Sequence, residues 1–599
     1  MSASPDPEWR GSGRRLRWAS ALAVLVVALL PSLGTWSAPW IAEDSSLLAE
    51  AQRSGPWADW TRSQGGLHQV RFWRPVVSTS WALQEASTGI DPRALRAFNL
   101  ACHAATALCV WLLVRRLGGK AAAAFVAGSV AALFPEQGGT VTWLAGRTDL
   151  LVGLALVASS LAALSRWPLL GLPFAFLAVA AKEFGVLALP WGVLLLVAQR
   201  HPWREVARRA WPLAAGVLLA LGARRLALGT WTGGYPPPDV GLLAGLPRVV
   251  SGLIGASWSW ALPVLALLAL GAVMHALDAR GVSAALACAA GAAALLYPLL
   301  LDDGFLEPQN RRLLHCANLG LALASGLALA RATRPLGRRV LAGASGALLA
   351  WLFVLAWRDT HEWAGAARAG EERIAAARAV VAIAAPDARP VLFDGFPREW
   401  DGAYCLGFGL ADRFRAPFPA TPRPVWPLRP IFLRQESVRP PSMPLRADGS
   451  LWPFESAGPD DGARRLAVVD GDGRALERLT VDETSFVASE DRSLRLCVGN
   501  GPQGAMLEVL VYTEQGYEPF ALGVLDAQGR ACASLMQLFA VPGTSATVGG
   551  TLTHVADLGA LDAYLEFRAT DEQGGILVFS RWIELVWSAE LLERSLSAR

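Results

Sequence analysis

The chain has 599 residues, of which 53% are hydrophobic, and its mean hydropathy is +0.35. This composition excludes an ordinary soluble enzyme and indicates several membrane spans. The formal net charge of +4 excludes the basic footprint of a nucleic-acid-binding protein.

The N-terminus, residues 1–17, is polar and ends in Arg14, Arg15 and Arg17, directly before the apolar run from Trp18 to Trp36. This order is typical of a signal peptide, but no convincing small-x-small cleavage site closes it. We therefore predict a retained signal-anchor helix with a cytoplasmic N-terminus.

Ten further apolar runs follow, at 94–114, 121–134, 149–164, 167–181, 184–199, 210–228, 247–274, 283–301, 313–330 and 340–357. With the first run they predict a polytopic α-helical membrane protein of about eleven spans, within a transmembrane domain at 18–360. Basic residues are concentrated in alternate loops, which predicts that the first outer loop, 37–92, and everything after Trp357 lie outside.

The composition changes after residue 360. Residues 361–389 are rich in Ala, Arg and Glu with helical spacing and predict a helical connector. Residues 390–599 contain short β-type runs separated by Gly, Pro and Asp, which predict a β-rich extracytoplasmic domain. It carries no nucleophile–base motif, so we expect it to bind an acceptor or an envelope protein partner. One disulfide can form among Cys405, Cys497 and Cys532, leaving one thiol over.

Two adjacent carboxylates, Glu43 and Asp44, follow the first span at the predicted membrane surface. Carboxylates near hydrocarbon are costly and usually functional. The alternative is that Asp44 or Ser45 caps the next helix. Both interpretations remain open at this stage.

The first outer loop is rich in tryptophan and also carries basic residues. Trp57, Trp60, Trp73 and Trp81 predict a segment lying on the membrane interface. Arg71 and Arg74 run against the positive-inside trend and favour an anionic partner such as a lipid phosphate; a solvated loop is the alternative.

Charged residues of both signs collect on the predicted outer face: Glu43, Asp44, Arg74, Glu136, Arg147, Asp149, Lys182, Glu183, Glu307, Arg311 and Arg312. Cations can hold a lipid phosphate while one carboxylate acts as general base on an acceptor hydroxyl. Such chemistry needs neither metal nor nucleotide, and the sequence shows no metal-ligand spacing, P-loop or Rossmann fingerprint.

Five motifs occur in a familiar order: the acidic pair, Phe72–Val76, Asp91-Pro92 with Asn99 and His103, Leu133–Pro135 with Thr142–Leu151, and Ala181–Phe184. In this order they resemble the membrane part of polyprenyl-phosphate-sugar-dependent glycosyltransferases of the GT-C fold. The resemblance covers about residues 18–360. It is strongest to the branch of transmembrane and tetratricopeptide-repeat mannosyltransferases, whose repeat tail this sequence lacks.

This resemblance implies an inverting glycosyltransferase on the outer face of an inner (plasma) membrane. It makes Asp44 the catalytic base and Glu43 its acidic neighbour, with Arg74, Arg311 and Arg312 on the donor phosphate. A polyprenyl-phosphate-linked sugar is the donor, and a protein, glycan or glycolipid hydroxyl is the acceptor. Further site support is expected from Arg147, Asp149, Lys182, Glu183, His103, Asn99 and Glu136, although the glutamate is displaced from its position in relatives.

Each supporting residue also has a structural interpretation. Asn99 and His103 lie one helical turn apart and can hydrogen-bond between helices. Lys182 with Glu183, and Arg147 with Asp149, can form local ion pairs, and Arg311-Arg312 can anchor a lipid headgroup.

Two other functions compete with the enzyme: a transporter or flippase for a lipid-linked envelope precursor, and a non-catalytic envelope assembly protein. Charges placed at one face, rather than at mid-membrane depth, favour the enzyme over the transporter.

Overall fold

The computed structural model describes residues 12–64, 72–135, 137–231, 312, 314–330 and 335–382. In the tail it describes 391–394, 399–400, 403–406, 410–422, 425–427, 452–454, 467–469, 478–481, 495–499, 503–513, 516–528, 530–534, 562–570, 576–579 and 583–587. The sequence predictions outside these residues concern Arg71, Glu136, Glu307, Arg311 and the spans at 247–274 and 283–301.

Most of the described chain up to residue 382 is helical. The α-helices are α1 (Ser12–Leu29), α2 (Asp44–Ser54), α3 (Pro75–Thr88), α4 (Pro92–Arg116), α5 (Ala121–Ala132), α6 (Arg147–Leu164), α7 (Gly171–Ala181), α8 (Ala188–Ala198), α9 (Trp203–Leu228), α10 (Leu314–Ala330) and α11 (Pro335–Ala382). Short 3₁₀ turns cover Leu30–Thr35, Ala58–Trp60, Leu144–Gly146, Pro168–Leu170 and Glu183–Leu187, and a π turn covers Gly138–Thr142.

Four stretches among the described residues are long and apolar enough to cross a membrane: Leu16–Thr35, Pro92–Arg116, Leu144–Leu164 and Trp203–Leu228. Shorter apolar helical stretches occupy Ala121–Ala132, Pro168–Ala181, Glu183–Ala198 and Leu314–Leu327. The chain is thus a mainly helical protein with four candidate membrane spans. The count of eleven stays a prediction.

Small residues allow these helices to approach closely. α1 packs on α4 and α5, α4 on α6, α6 on α7, α7 on α9, and α10 on α5. A Cβ atom on Gly216 of α9 would lie 2.3 Å from the carbonyl oxygen of Leu172 in α7. A Cβ atom on Gly326 of α10 would lie 2.6 Å from the Ala127 Cβ atom in α5. Glycine at these two positions therefore sets the helix separation.

The loop between the first two spans is itself helical, and its tryptophans do not all face outwards. Trp73 and Trp81 are buried, whereas Trp57 is 65% exposed. Trp73 donates through Nε1 to the carbonyl oxygen of Trp60, and the Trp60 ring stacks on Phe176 of α7. The rings of Trp73 and Trp81 therefore pack inside the protein, and the position of this segment on the membrane interface stays a prediction.

The predicted boundary between a span at 340–357 and a connector at 361–389 does not appear as a break in the chain. α11 runs without interruption for 48 residues, from Pro335 to Ala382. No proline occurs after its first residue, and alanine, glutamate and arginine favour helix throughout its second half.

Fourteen strands lie in the described tail: β1 (Val391–Asp394), β2 (Glu399–Trp400), β3 (Ala403–Tyr404), β4 (Val425–Pro427), β5 (Trp452–Phe454), β6 (Ala467–Val469), β7 (Arg478–Val481), β8 (Arg495–Gly499), β9 (Met506–Thr513), β10 (Gly516–Val524), β11 (Ala531–Ser534), β12 (Asp562–Thr570), β13 (Ile576–Phe579) and β14 (Ile583–Trp587). The sheet orders are β4-β1-β5, β10-β9-β12-β14-β7 with β13 beside β12, β11-β8-β6, and the hairpin β2-β3.

The chain divides into two compact units. The first, which we call the helical unit, comprises Met1–Gly66, Val70–Ala369 and Glu399–Cys405. The second comprises Leu67–Gln69, Gly370–Arg398 and Leu406–Arg599. The short hairpin β2-β3 therefore belongs to the helical unit, although the sequence boundary at 390 would place it in the tail.

Candidate functional site

Several helices of the helical unit begin or end around one group of polar residues. α4 begins at Pro92, where the Asp91 side chain caps the Arg93 N–H at 3.0 Å, and α6 begins at Arg147. α7 ends directly before Lys182, and Arg224 lies in the last turns of α9. Direct contacts join side chains from these ends, so the polar residues lie together at one end of the helices.

Asp44 joins two loops through its carboxylate. Its Oδ2 atom accepts hydrogen bonds from the N–H groups of Ile41, at 3.1 Å, and Leu144, at 3.3 Å. Its Oδ1 atom accepts from the N–H group of Ala145 at 2.8 Å, and the residue is completely buried. Burial and then the neighbouring Glu43 raise the pKa of Asp44 to about 7, against the effect of these hydrogen bonds and of Arg96.

These contacts remove the helix-cap interpretation. Asp44 is the first residue of α2, and the Glu43 side chain at the N-cap position makes no capping hydrogen bond. The Asp44 carboxylate instead turns back to Ile41 and across to the 144–145 turn. Its role in the structure is to hold the acidic loop against the start of α6.

Arg96 holds the same two loops together and was missed in the sequence. Its guanidinium donates to the carbonyl oxygens of Trp36, Ala38, Pro39 and Thr142, at 2.7 to 3.1 Å. The side chain is completely buried. An arginine inside an apolar run was the available signal, because such a charge requires several partners.

Glu43 differs from Asp44 in having a carboxylate oxygen to spare. Among the described residues its Oε2 atom is buried without a hydrogen-bond partner, while the residue as a whole is partly exposed. Burial raises the pKa of Glu43, and the positive charge of Arg312 opposes that rise. Glu43 is therefore the carboxylate of the pair that can accept a proton from another molecule.

Arg312 interacts electrostatically with Glu43 and also pairs with the carboxylate of a buried ion pair. Lys182 Nζ binds Asp149 Oδ1, and both side chains are 2% exposed. Arg312 Nε lies 3.6 Å from Asp149 Oδ2, and its guanidinium carbon lies 4.0 Å above the Trp143 ring centre. The Arg312 side chain is 19% exposed. Asp149 thus pairs with two cations from other elements.

A second ion-pair group contains Arg74. Arg74 Nη2 donates to Glu183 Oε2 at 3.1 Å, and Arg224 Nη1 lies 3.5 Å from Glu183 Oε1. The Arg74 guanidinium carbon lies 3.8 Å from the Phe72 ring centre. Lys182 and Glu183 thus bind separate partners, so the predicted pair between these neighbours is replaced by contacts with distant residues.

The Arg147 guanidinium donates four hydrogen bonds inside the protein. It donates to the side chains of Asn99, Ser80 and Gln84 and to the carbonyl oxygen of Leu95, at 2.6 to 3.3 Å. Its guanidinium also lies over the rings of Trp81 and Phe98. The predicted local pair with Asp149 does not form, since Arg147 is completely buried beside α4.

Asn99 and His103 join helix to neighbouring backbone, as the structural interpretation of this pair expected. Asn99 Nδ2 donates to the carbonyl oxygens of Leu144, at 3.3 Å, and Val141, at 3.5 Å. His103 Nε2 lies 3.1 Å from the carbonyl oxygen of Ala132. Both residues are buried, which favours packing roles.

The hairpin β2-β3 and α11 complete one wall of the group. Trp143 stacks on Trp363, with ring centres 5.3 Å apart, and meets Tyr404 edge-on at 5.4 Å. The carbonyl oxygen of Cys405 accepts a hydrogen bond from Ala42 N–H at 2.8 Å. Ala42 has a left-handed φ of 46° directly before Glu43. Sequence reasoning could not find this wall, because its members are hundreds of residues apart.

In the part of the chain that the structure describes, no group of three or more His, Cys, Asp or Glu side chains could hold a metal ion. The charged side chains brought together are instead oppositely charged pairs. Among the described residues, the buried carboxylate oxygens of this group without a hydrogen-bond partner are Glu43 Oε2, Asp149 Oδ2 and Glu183 Oε1, and the latter two lie 3.5 to 3.6 Å from an arginine. Such a group can bind an anion through arginine and accept a proton through glutamate.

Comparison with models of known protein families gives no match, and comparison with curated proteins gives no significant match. Function is therefore inferred from the residues and contacts described above.

Proposed function

We propose that the chain is an inverting membrane glycosyltransferase that moves a sugar from a polyprenyl-phosphate donor to an acceptor hydroxyl. The observation that carries this proposal is the electrostatic interaction of the partly exposed Arg312 with Glu43, whose Oε2 atom has no hydrogen-bond partner among the described residues. The transfer requires a base and a phosphate ligand that act on the same sugar.

Arg312 is the proposed ligand of the donor phosphate. A guanidinium has five N–H donors, and the Arg312 Nε atom has no hydrogen-bond partner among the described residues. Asp149 and the Trp143 ring keep the group in place without using its whole donor set. Arg74, in the second ion-pair group and oriented by Glu183, is the other proposed phosphate ligand. A leaving phosphate would be stabilised by both charges.

Glu43, rather than Asp44, is the proposed base. The resemblance expected Asp44 in this role, but both oxygens of Asp44 already accept backbone N–H groups. Burial moves the pKa of Glu43 upwards, towards the range in which a carboxylate works as a base near neutral pH. Asp44 then acts as a positioning residue, because it fixes the turn that carries Glu43.

The proposed step is a single displacement with inversion. The acceptor oxygen attacks the anomeric carbon while the bond from that carbon to the phosphate oxygen breaks. The acceptor proton passes to Glu43, and the polyprenyl phosphate leaves with the bonding electron pair. Inversion requires the base and the phosphate ligands on opposite faces of the sugar.

An apolar groove supports a lipid-linked donor. Its volume is about 590 Å³, and its lining includes Val76, two residues after Arg74 in the chain. Further apolar lining comes from α3, α4, α6 and α7 through Leu83, Phe98, Leu151 and Leu177. An isoprenoid chain matches these walls, and its phosphate end would then reach the arginines.

We further propose that the N-terminus is cytoplasmic and that this site and the β-rich tail face the outside of an inner membrane. The concentration of arginine in alternate loops supports this orientation. The acceptor is a hydroxyl of a protein, glycan or glycolipid. A transporter or flippase is less well supported, because the charged side chains of the described residues cluster at helix ends rather than midway along spans.

Complementation of a deletion strain tests this function. A strain lacking the gene is complemented with the natural chain, with Glu43→Gln or with Glu85→Gln, and its glycans and glycolipids are compared by mass spectrometry. Glu85 is the matched control, because its described hydrogen bond joins Gln52 at 3.3 Å, away from the arginines. We expect one sugar modification to disappear in the deletion strain and to return with the natural chain and Glu85→Gln only. Full restoration by Glu43→Gln would favour the non-catalytic assembly protein.

A further inference from the structure

Three cysteines of the tail permit only one pair, and the structure separates one of them from the other two. Cys405 is a buried thiol of the helical unit, whereas Cys497 and Cys532 belong to the second unit. The Cys405 Sγ atom donates to the carbonyl oxygen of Ala366 in α11 at 3.1 Å, within the helical unit. The pair to consider is therefore Cys497 with Cys532.

Cys497 and Cys532 lie opposite each other on neighbouring strands. β8 and β11 are antiparallel, and their register pairs Cys497 with Cys532 between the pairs Val498–Ala531 and Leu496–Ala533. Residues directly opposite in an antiparallel pair share a face of the sheet, with Cα atoms about 4.5–5.5 Å apart. A disulfide requires Cα atoms about 4.4–6.8 Å apart. The register thus gives Cys497 and Cys532 the Cα separation that a disulfide requires.

We propose that Cys497 and Cys532 form a disulfide that cross-links β8 to β11. Each thiol gives up one proton, and together they give up two electrons to a disulfide-bearing exchange partner, which is reduced to a dithiol. The bond closes the chain around β9 and β10, which lie between the two strands in sequence. Such a bond persists in an oxidising compartment, so it places the tail outside the cytoplasm independently of the transferase function.

Peptide mapping of the full-length protein tests this bond. The protein is purified from membranes after free thiols are blocked with N-ethylmaleimide, and it is digested with trypsin without reduction. Cleavage after Arg495 and Arg530 puts Cys497 and Cys532 on different peptides, and cleavage after Arg398 separates Cys405. We expect the first two peptides to be linked and Cys405 to carry the blocking group.

Reduction followed by a second, heavier alkylating agent should label Cys497 and Cys532 and leave Cys405 with the first. Cys405→Ser should keep the link, whereas Cys532→Ser should leave Cys497 blocked from the start. N-ethylmaleimide on both Cys497 and Cys532 in the natural chain, or a link from either to Cys405, would overturn the proposal. The map of the natural chain decides this even if Cys532→Ser fails to accumulate.

Discussion

Asp44→Asn tests whether Asp44 is a structural residue. The amide keeps the size of the side chain but has only one acceptor oxygen. In its better orientation that oxygen retains Ile41 and Leu144, and the amide NH₂ then faces the N–H group of Ala145, which in the natural chain bonds Oδ1 at 2.8 Å. A buried N–H without a partner costs about 1–3 kcal/mol. Removing a buried carboxylate offsets part of this loss, so we expect a net destabilisation of about 1–2 kcal/mol.

Thermal unfolding of the detergent-purified protein measures this effect. A thiol-reactive dye can follow unfolding, because Cys102 and Cys316 are buried in the folded chain. Asp44→Asn should unfold at a lower temperature than the natural chain. Glu43→Gln should unfold at the same temperature as the natural chain, because the Oε2 atom of Glu43 has no hydrogen bond to lose among the described residues. An unchanged midpoint for Asp44→Asn beside a lowered one for Glu43→Gln would refute the assignment of roles.

The charged groups lead to three further predictions. Lys182→Met leaves Asp149 without its buried partner and should destabilise the protein by about 3–5 kcal/mol, and adding Asp149→Asn should recover part of the loss in the same melting assay. Arg74→Ala removes a charge-assisted contact worth about 1.5–3 kcal/mol, so kcat/KM for a polyprenyl-phosphate sugar should fall about 10- to 150-fold. The unfolding midpoint of the natural chain, measured relative to that of Asp44→Asn, should fall as pH rises from about 4 to about 7.

The sign of the pH effect follows from the raised pKa of Asp44. Its pKa is 3.8 in the unfolded reference and about 7 in the folded chain, so the unfolded chain releases this proton first. The stability from the protonated form is fully present below about pH 3.8 and is lost as pH passes through about 7. A constant difference between the midpoints of the natural chain and Asp44→Asn over this window would contradict the raised pKa of Asp44. Equal kinetics for Arg74→Ala would remove Arg74 from the donor site, and equal melting for Lys182→Met would remove Lys182 from the buried ion pair.

The sequence was informative about which segments are helical and which residues share an end of them. Alternating apolar runs place Arg74, Asp149, Lys182 and Glu183 in loops on one side, and these residues do contact one another. Hydrophobic periodicity and loop composition suffice for this prediction. Each span reverses the direction of the chain, so alternate loops lie on the same side.

The sequence could not supply the pairings inside that group. Lys182 and Glu183 are neighbours, yet the backbone changes there from α7 to a 3₁₀ turn, and their side chains reach Asp149 and Arg74 respectively. Arg147 points into a buried polar network that depends on where α3 packs.

The sequence could not distinguish the roles of Glu43 and Asp44 either. The Asp44 carboxylate accepts hydrogen bonds from the N–H groups of Leu144 and Ala145, which lie about one hundred residues away in sequence. Tyr404, which contacts Trp143, comes from a hairpin far along the chain. Contacts between residues so far apart in sequence leave no local sequence pattern from which they could be predicted.

Donor cleavage by the purified protein tests the central claim most directly. The full-length chain, Glu43→Gln and Glu85→Gln are each incubated with polyprenyl-phosphate-mannose and other polyprenyl-phosphate sugars, and free polyprenyl phosphate is measured. We expect release from at least one donor by the natural chain and Glu85→Gln, and a loss on the order of 10²–10⁴ in rate for Glu43→Gln. Equal release by Glu43→Gln and the natural chain, or no release by the natural chain from any donor, would contradict the glycosyltransferase account.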